Sequence, residues 1–319
     1  MTLHPFVAAL LERQRAAGAP GLSAGSPEDA RALVAAGRAG LGEGPDLLER
    51  REVTVPTRSG SVRSLLLVPH GGVTGVLVYV HGGGWVVGEP EDFETLGREL
   101  ASRTGCAVLL PDYRLAPEHP FPAGLEDVED VLAHVQSARV DLVGADLPWV
   151  AAGDSAGANL LTVALRRHPE LECRLQVLVY PVTDTDTDGP TYGEFGTGLP
   201  LTRADMRWFL DHYLGQDDAL RRSPDVAPLR ATDLAGLPPA LVLTAEHDVL
   251  RGEGEAYAAA LSAAGVPTVV ERSPGVAHGF LRMHNLFDVA HGAVVRIAAA
   301  VGDVVPRPDH STTPPPADT

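Results

Sequence analysis

Short apolar runs recur along the chain, each closed by glycine, proline or a charged residue: GVLVYV, CAVLLP, WVAA, LQVLVYP and PALVLTA. None alternates polar with apolar residues, so each reads as a strand buried on both faces, the kind found in parallel sheets. Helical patterns stand among them, in LEDVEDVLAHV, ANLLTVALRR and GEGEAYAAALSAAG. Strands alternating with helices over this length constrain the chain to the α/β class, with a mostly parallel central sheet and helices on both faces. REVTVPTRSGSVRSLLLVP adds two strands joined by a turn near Ser59–Gly60, and TVVERSPGVAHGF a last strand before a helix expected near 284–301.

Two segments depart from this alternation. Residues 4–50 carry Phe6, Val7, Leu10 and Leu11 at helical spacing, then Ser26 as an N-cap with Asp29 three residues on. They suit either a helix packed on the surface or part of a lid. Residues 184–236 contain no strand pattern yet hold Tyr192, Phe195, Trp208, Phe209 and Tyr213. An insertion at that point in such a sheet overlies the functional ends of the strands, so it reads as a helical cap. The last stretch, 303–319, is rich in Pro and Thr and reads as a flexible tail.

The charge balance excludes several functions. Against 42 acidic side chains stand 25 basic ones, a net charge of −17, which disfavours nucleic acid as a partner. All the basic residues are Arg. With no Lys there is no phosphate-loop lysine, no Schiff base and no Ser–Lys dyad. Cys106 and Cys173 are too few for a disulfide framework or a zinc site and read as small buried hydrophobes. The N-terminus lacks the basic and apolar regions of a signal peptide, and no run reaches the ~18 apolar residues of a membrane span. The expectation is a cytoplasmic protein with no membrane partner.

The strongest chemical signal is Gly153-Asp154-Ser155-Ala156-Gly157, a G-x-S-x-G placed after an apolar run and before a helix. A sharp strand-to-helix turn there exposes Ser155 above the sheet and aims the Ala156 amide at a developing oxyanion. His81-Gly82-Gly83-Gly84-Trp85 follows another buried strand, and its glycines let backbone amides turn toward a bound oxygen. His81 itself reads as a group fixing that loop by hydrogen bonding. Among twelve histidines His278 stands out, in a glycine-flanked loop after a strand; Asp248 ends an earlier strand. The order Ser155…Asp248…His278 is that of an α/β-hydrolase triad. Glu246 competes for the acid role but reads as structural. His247 lacks any metal-ligand spacing, so no metal is expected.

Taken together, HGGGW (81–85), DYRLAPEHPFPA (112–123), GDSAGANL (153–160), LVYP (178–181), TAEHDVLRGEGEAYAAAL (244–261) and AHGF (277–280) resemble the bacterial hormone-sensitive-lipase-type carboxylesterases, an α/β-hydrolase family. The resemblance covers about residues 50–301. It implies the α/β-hydrolase fold, with a core at 51–183 and 237–302 and a cap from the N-terminal segment 1–50 and the 184–236 insertion. It also implies Ser155, Asp248 and His278 as triad, and the amides of Gly82, Gly83 and Ala156 as oxyanion hole. Trp85, Phe195, Trp208, Phe209 and Tyr213 are the candidates for the substrate pocket. Ala158 stands where the family usually has Gly, and Val249 where Pro is commoner; both concern packing. Arg114 and Glu118 are expected to form an ion pair that orders their loop.

The function so implied is hydrolysis of short- to medium-chain carboxylic esters through an acyl-enzyme, with a small-molecule ester as partner and no cofactor. A homodimer is compatible with it. Rival readings are an acyltransferase, an amidase or deacetylase acting on a small acylated metabolite, and a receptor on the same fold. The family's plant hormone receptors lack the histidine, so His278 counts against the last.

Overall fold

In the computed structural model, which describes residues 2–305, the chain opens with two helices, α1 (Pro5–Ala16) and α2 (Pro27–Ala36). Ser26 caps α2 as expected: its Oγ accepts the Asp29 amide, while the Asp29 carboxylate accepts the Ser26 amide. The hairpin β1 (Glu49–Thr57) and β2 (Gly60–Val68) follows, turning at 58–59. The chain then alternates: β3 (Gly75–Val80), α3 (Pro90–Thr104), β4 (Cys106–Pro111), α4 (Ala123–Val143), β5 (Trp149–Asp154), α5 (Ala156–Arg167) and β6 (Gln176–Val179). Three helices of the 184–236 insertion come next: α6 (Pro190–Phe195), α7 (Arg203–Leu214) and α8 (Asp218–Arg222). The core resumes with β7 (Ala240–His247), α9 (Arg251–Ala263), β8 (Thr268–Ala277) and α10 (Asp288–Val304).

The eight strands form one sheet in the order β1-β2-β4-β3-β5-β6-β7-β8, parallel except where β2 runs against β1 and β4. Alternate side chains of each strand enter different layers. Val76, Val78 and Val80 of β3 join a core with Leu125 and Val128 of α4 and Leu161 of α5; Leu77 and Tyr79 join one with Leu96 and Leu100 of α3 and Val294 and Ile297 of α10. Both faces are covered, which is why the strands read as continuous apolar runs.

Two boundaries differ from expectation. The C-terminal helix starts at Asp288 rather than near 284, because Phe280–Met283 form a short 3₁₀ turn and an acidic residue favours the helix N-terminus. It also continues to Val304, into the stretch expected to be tail; residues 306–319 of that stretch lie outside the described residues. No helix among the described residues is long and apolar enough to cross a membrane.

Candidate active site

Strand β5 delivers Ser155 at the turn into α5, and its backbone there (φ 54°, ψ −120°) occupies a region that L-residues avoid. The turn is so tight that a Cβ on Gly157 would lie 2.1 Å from the Val80 carbonyl oxygen, and one on Gly153 2.8 Å from the same atom. Both glycines of the G-x-S-x-G motif are therefore required by close approach of α5 to β3. Two backbone bonds hold the elbow to the end of β6 and the residues just after it: the Ser155 amide donates to the Val179 carbonyl (2.9 Å), and the Val182 amide donates to the Ser155 carbonyl (3.2 Å).

Three side chains from three loops meet in a line. Ser155 Oγ lies 3.0 Å from His278 Nε2, and His278 Nδ1 lies 2.7 Å from Asp248 Oδ2. Asp248 is 1 % exposed, and its other oxygen accepts the Leu250 amide at 3.0 Å, so the carboxylate is fixed from its own loop. Glu246 does not reach His278; it accepts the Gly275 amide at 2.7 Å and braces the strand leading to the histidine. His247 lies edge-on to Phe195, and no group of His, Cys, Asp and Glu among the described residues is arranged to hold a metal.

The glycine loop after β3 is built differently from the expectation at one position. The Gly82 amide donates to Asp154 Oδ1 at 2.8 Å. That amide is already occupied, and the carboxylate beside it would repel an oxyanion, so Gly82 is corrected from oxyanion donor to loop anchor. The amides of Gly83 and Gly84 have no protein acceptor among the described residues. The sequence motif by itself gives Asp154 no role. Asp154 also accepts the Tyr79 hydroxyl at 3.0 Å, and burial raises its pKa against the lowering effect of those two hydrogen bonds. A charged residue closing a fully apolar strand was the available signal.

His81 donates from Nδ1 to the Gly82 carbonyl (2.8 Å), and its own carbonyl accepts the Tyr113 hydroxyl (2.9 Å). It stacks between Phe93 and Tyr113, and burial lowers its pKa to about 4, so the ring is a neutral brace. The expected Arg114–Glu118 pair does not form. Arg114 donates to buried Asp127 on α4, while Glu118 pairs bidentately with Arg31 of α2. Arg31 also donates to the carbonyls of Val86 and Ala116, so the N-terminal segment is tied to the end of the glycine loop. The carboxylate gains two ion-pairing hydrogen bonds by choosing Arg31, and Arg114 finds a deeper partner in Asp127.

The aromatic candidates divide into groups. Trp85 stacks on Tyr213 (4.4 Å, 4°), and Phe209 packs on Gly84, where a Cβ would meet its ring at 2.2 Å. These three residues form a wall against the glycine loop. Trp208 sits behind, edge-on to Phe209 and His212, and Phe195 lies apart under Arg251. Asp205 of α7 accepts the amide and hydroxyl of Ser23, joining the N-terminal segment to the insertion. Two surface grooves, of about 570 and 360 Å³, are not lined by triad residues. Ser155 is 5 % exposed beneath this assembly.

A family of α/β-hydrolase fold matches residues 77–282. The chain is 36 % identical over 310 residues to the carboxylic ester hydrolase LipN of Mycobacterium tuberculosis, covering 92 % of this chain and 80 % of that one. It is 36 % identical over 230 residues to an ethyl acetate hydrolase of Pseudomonas putida, covering 70 % of this chain and 72 % of the other. The solved structure of a hyperthermophilic esterase from the archaeon Pyrobaculum calidifontis superposes with a TM-score of 0.89 at 35 % identity, over 95 % of this chain and 99 % of that one. The chain belongs to the α/β-hydrolase fold family, in its hormone-sensitive-lipase-type branch.

Proposed function

We propose that this protein is a serine carboxylesterase that hydrolyses short- to medium-chain esters through an acyl-enzyme, and that Ser155, His278 and Asp248 carry the reaction. The observation that supports this most is the continuous hydrogen-bonded line Ser155–His278–Asp248 at a strained strand-to-helix turn. Ser155 Oγ attacks the ester carbonyl as His278 Nε2 takes its proton, and Asp248 holds Nδ1–H and stabilises the imidazolium. The carbonyl oxygen, becoming negative, is received by the amides of Gly83, Gly84 and Ala156, the last at the N-terminus of α5. Loss of one such donor costs about 10²–10³ in rate. The protonated His278 then donates to the leaving alcohol. A water deprotonated by His278 cleaves the acyl-serine bond, releasing the acid and restoring Ser155.

The cap consists of the N-terminal segment and the 184–236 insertion, joined through Ser23 and Asp205. Trp85, Phe209 and Tyr213 close the acyl side, and this wall supports a pocket that fills early. Each substrate methylene buried adds about 0.8 kcal/mol until space runs out. A panel of nitrophenyl esters from acetate to palmitate tests both claims. Activity should rise to a short or medium chain and then fall, and His278→Ala should abolish it; an optimum at palmitate contradicts the pocket, and turnover by the variant contradicts the mechanism. The same reading includes a cytoplasmic enzyme without a nucleic-acid partner, supported by the net charge of −17 and the scarcity of cysteine. It also includes a homodimer through the outer edge of β8, where Val269 and Val270 are 47 % and 49 % exposed.

A further inference from the structure

Among the described residues, Tyr180 is one of three non-glycine residues with positive φ, beside Trp85 and the nucleophile itself. Its φ is 36°, a conformation that a large L-side chain adopts only when its surroundings impose it. The surroundings are specific. Tyr180 follows β6 directly, its amide donates to the Leu243 carbonyl of β7 (2.6 Å), and Pro181 stiffens the next step. The residues flanking this corner, Val179 and Val182, are those that bond the backbone of Ser155 from both sides. The ring is 1 % exposed and lies with its centroid 4.6 Å from the His278 imidazole, tilted by 55°; Phe280 packs edge-to-face with it at 5.4 Å. Among the described residues the hydroxyl makes no hydrogen bond of normal geometry, although the Leu281 backbone is near. What the site receives from Tyr180 is therefore an aromatic surface rather than a polar group.

We propose that Tyr180 is a positioning residue that sets the histidine against the nucleophile: one strained corner grips the backbone of Ser155 and presents its ring as the support for the His278 imidazole. The inference rests on the esterase reading above. Asp248 fixes one edge of the imidazole but leaves it free to rock about the Nδ1–Oδ2 axis, and the Tyr180 ring limits that motion. A small rotation of His278 lengthens the 3.0 Å Ser155 contact, and loss of alignment by about 1 Å costs about 10²-fold in rate.

The test compares Tyr180→Phe, Tyr180→Leu and Tyr180→Met, each checked for folding by circular dichroism. Two rates are measured: steady-state hydrolysis of nitrophenyl butyrate and the second-order rate of Ser155 phosphonylation by a small fluorophosphonate. Phe keeps the ring and should match wild type in both. Leu and Met should lower kcat and the phosphonylation rate in parallel, by about 10- to 100-fold, with KM within about threefold. Met fills the space flexibly, so a loss shared by Met and Leu separates the ring from simple packing. The proposal is overturned if Leu or Met retains wild-type kcat, if Phe is as impaired as Leu, or if KM rather than kcat absorbs the change. It is also overturned if Leu and Met both fail to fold, since the ring would then be a core residue. A wild-type protein without Ser155-dependent turnover would instead refute the esterase reading.

Discussion

Replacing Gly157 by Ala tests how closely the catalytic turn is built. The added Cβ would lie 2.1 Å from the Val80 carbonyl oxygen and 2.3 Å from that of His81, where ordinary contact begins at 3.4 Å. Both obstructing atoms are backbone, one ending β3 and one opening the glycine loop, so neither can rotate aside. Helix α5 must retreat by about 1 Å, and overpacking of this kind costs about 1–3 kcal/mol. At about 2–4 °C per kcal/mol for a protein near this size, Tm should fall by several degrees. Activity should fall further, because Ser155 and Ala156 immediately precede the displaced residue. A 1 Å error in a reacting group costs about 10²-fold, so kcat should drop by about that factor with KM little changed. The assay is nitrophenyl butyrate hydrolysis beside thermal unfolding. Gly292→Ala is the control: on α10, where its Cβ would meet nothing within 4 Å, it should leave kcat unchanged and stabilise by up to about 1 kcal/mol. A Gly157→Ala protein with wild-type kcat and Tm would refute the reasoning.

Other outcomes follow from the same geometry. Gly83 has φ 125° and a Cβ there would lie 2.0 Å from the Val87 carbonyl oxygen, so Gly83→Val should lower kcat by at least about 10²-fold; normal kcat would remove the loop from the mechanism. Asp154→Ala leaves the Gly82 amide and Tyr79 hydroxyl buried without an acceptor, at about 1–3 kcal/mol each, and should lower Tm together with kcat; Asp154→Asn, which can still accept both, should retain more of each. The Arg31 guanidinium holds Glu118 at a pKa of about 2, below the usual carboxylate range, so the pair stabilises the fold above that range and is lost as pH falls through about 2. Because the pair is half exposed, Glu118→Gln should cost no more than about 1 kcal/mol at pH 7, and the gap in Tm from wild type should narrow as pH falls from about 4.5 toward 2; a gap that widens in acid would contradict the assignment.

Much of this arrangement is legible in the chain because it depends on local pattern. Strands buried on both faces must be continuously apolar, and a strand-to-helix turn carrying Ser155 must have small neighbours, so both leave marks that survive without coordinates. Helix α3 is harder to see: six of the fifteen residues of PEDFETLGRELASRT are charged, and Phe93, Leu96 and Leu100 are the large apolar side chains that mark its buried face. Partners in ion pairs are harder still. Arg114 and Glu118 are neighbours in sequence, yet each finds a better partner across the fold, in Asp127 and Arg31. Gly82 illustrates the limit most sharply. Three consecutive glycines look equivalent in sequence, and only the position of Asp154 distinguishes the one whose amide is occupied. The same holds for Tyr180, whose left-handed backbone no residue type announces.

The claim that everything else depends on is that Ser155 is the nucleophile of an ester hydrolase. Treating the protein with diethyl p-nitrophenyl phosphate, then mapping the adduct by mass spectrometry while following ester turnover, tests it most directly. The account predicts a single diethylphosphoryl group on Ser155, activity lost in proportion to its formation, and neither adduct nor turnover in a folded Ser155→Ala protein. Turnover that persists in fully modified enzyme or in Ser155→Ala, or inactivation that tracks an adduct at another residue, would contradict it.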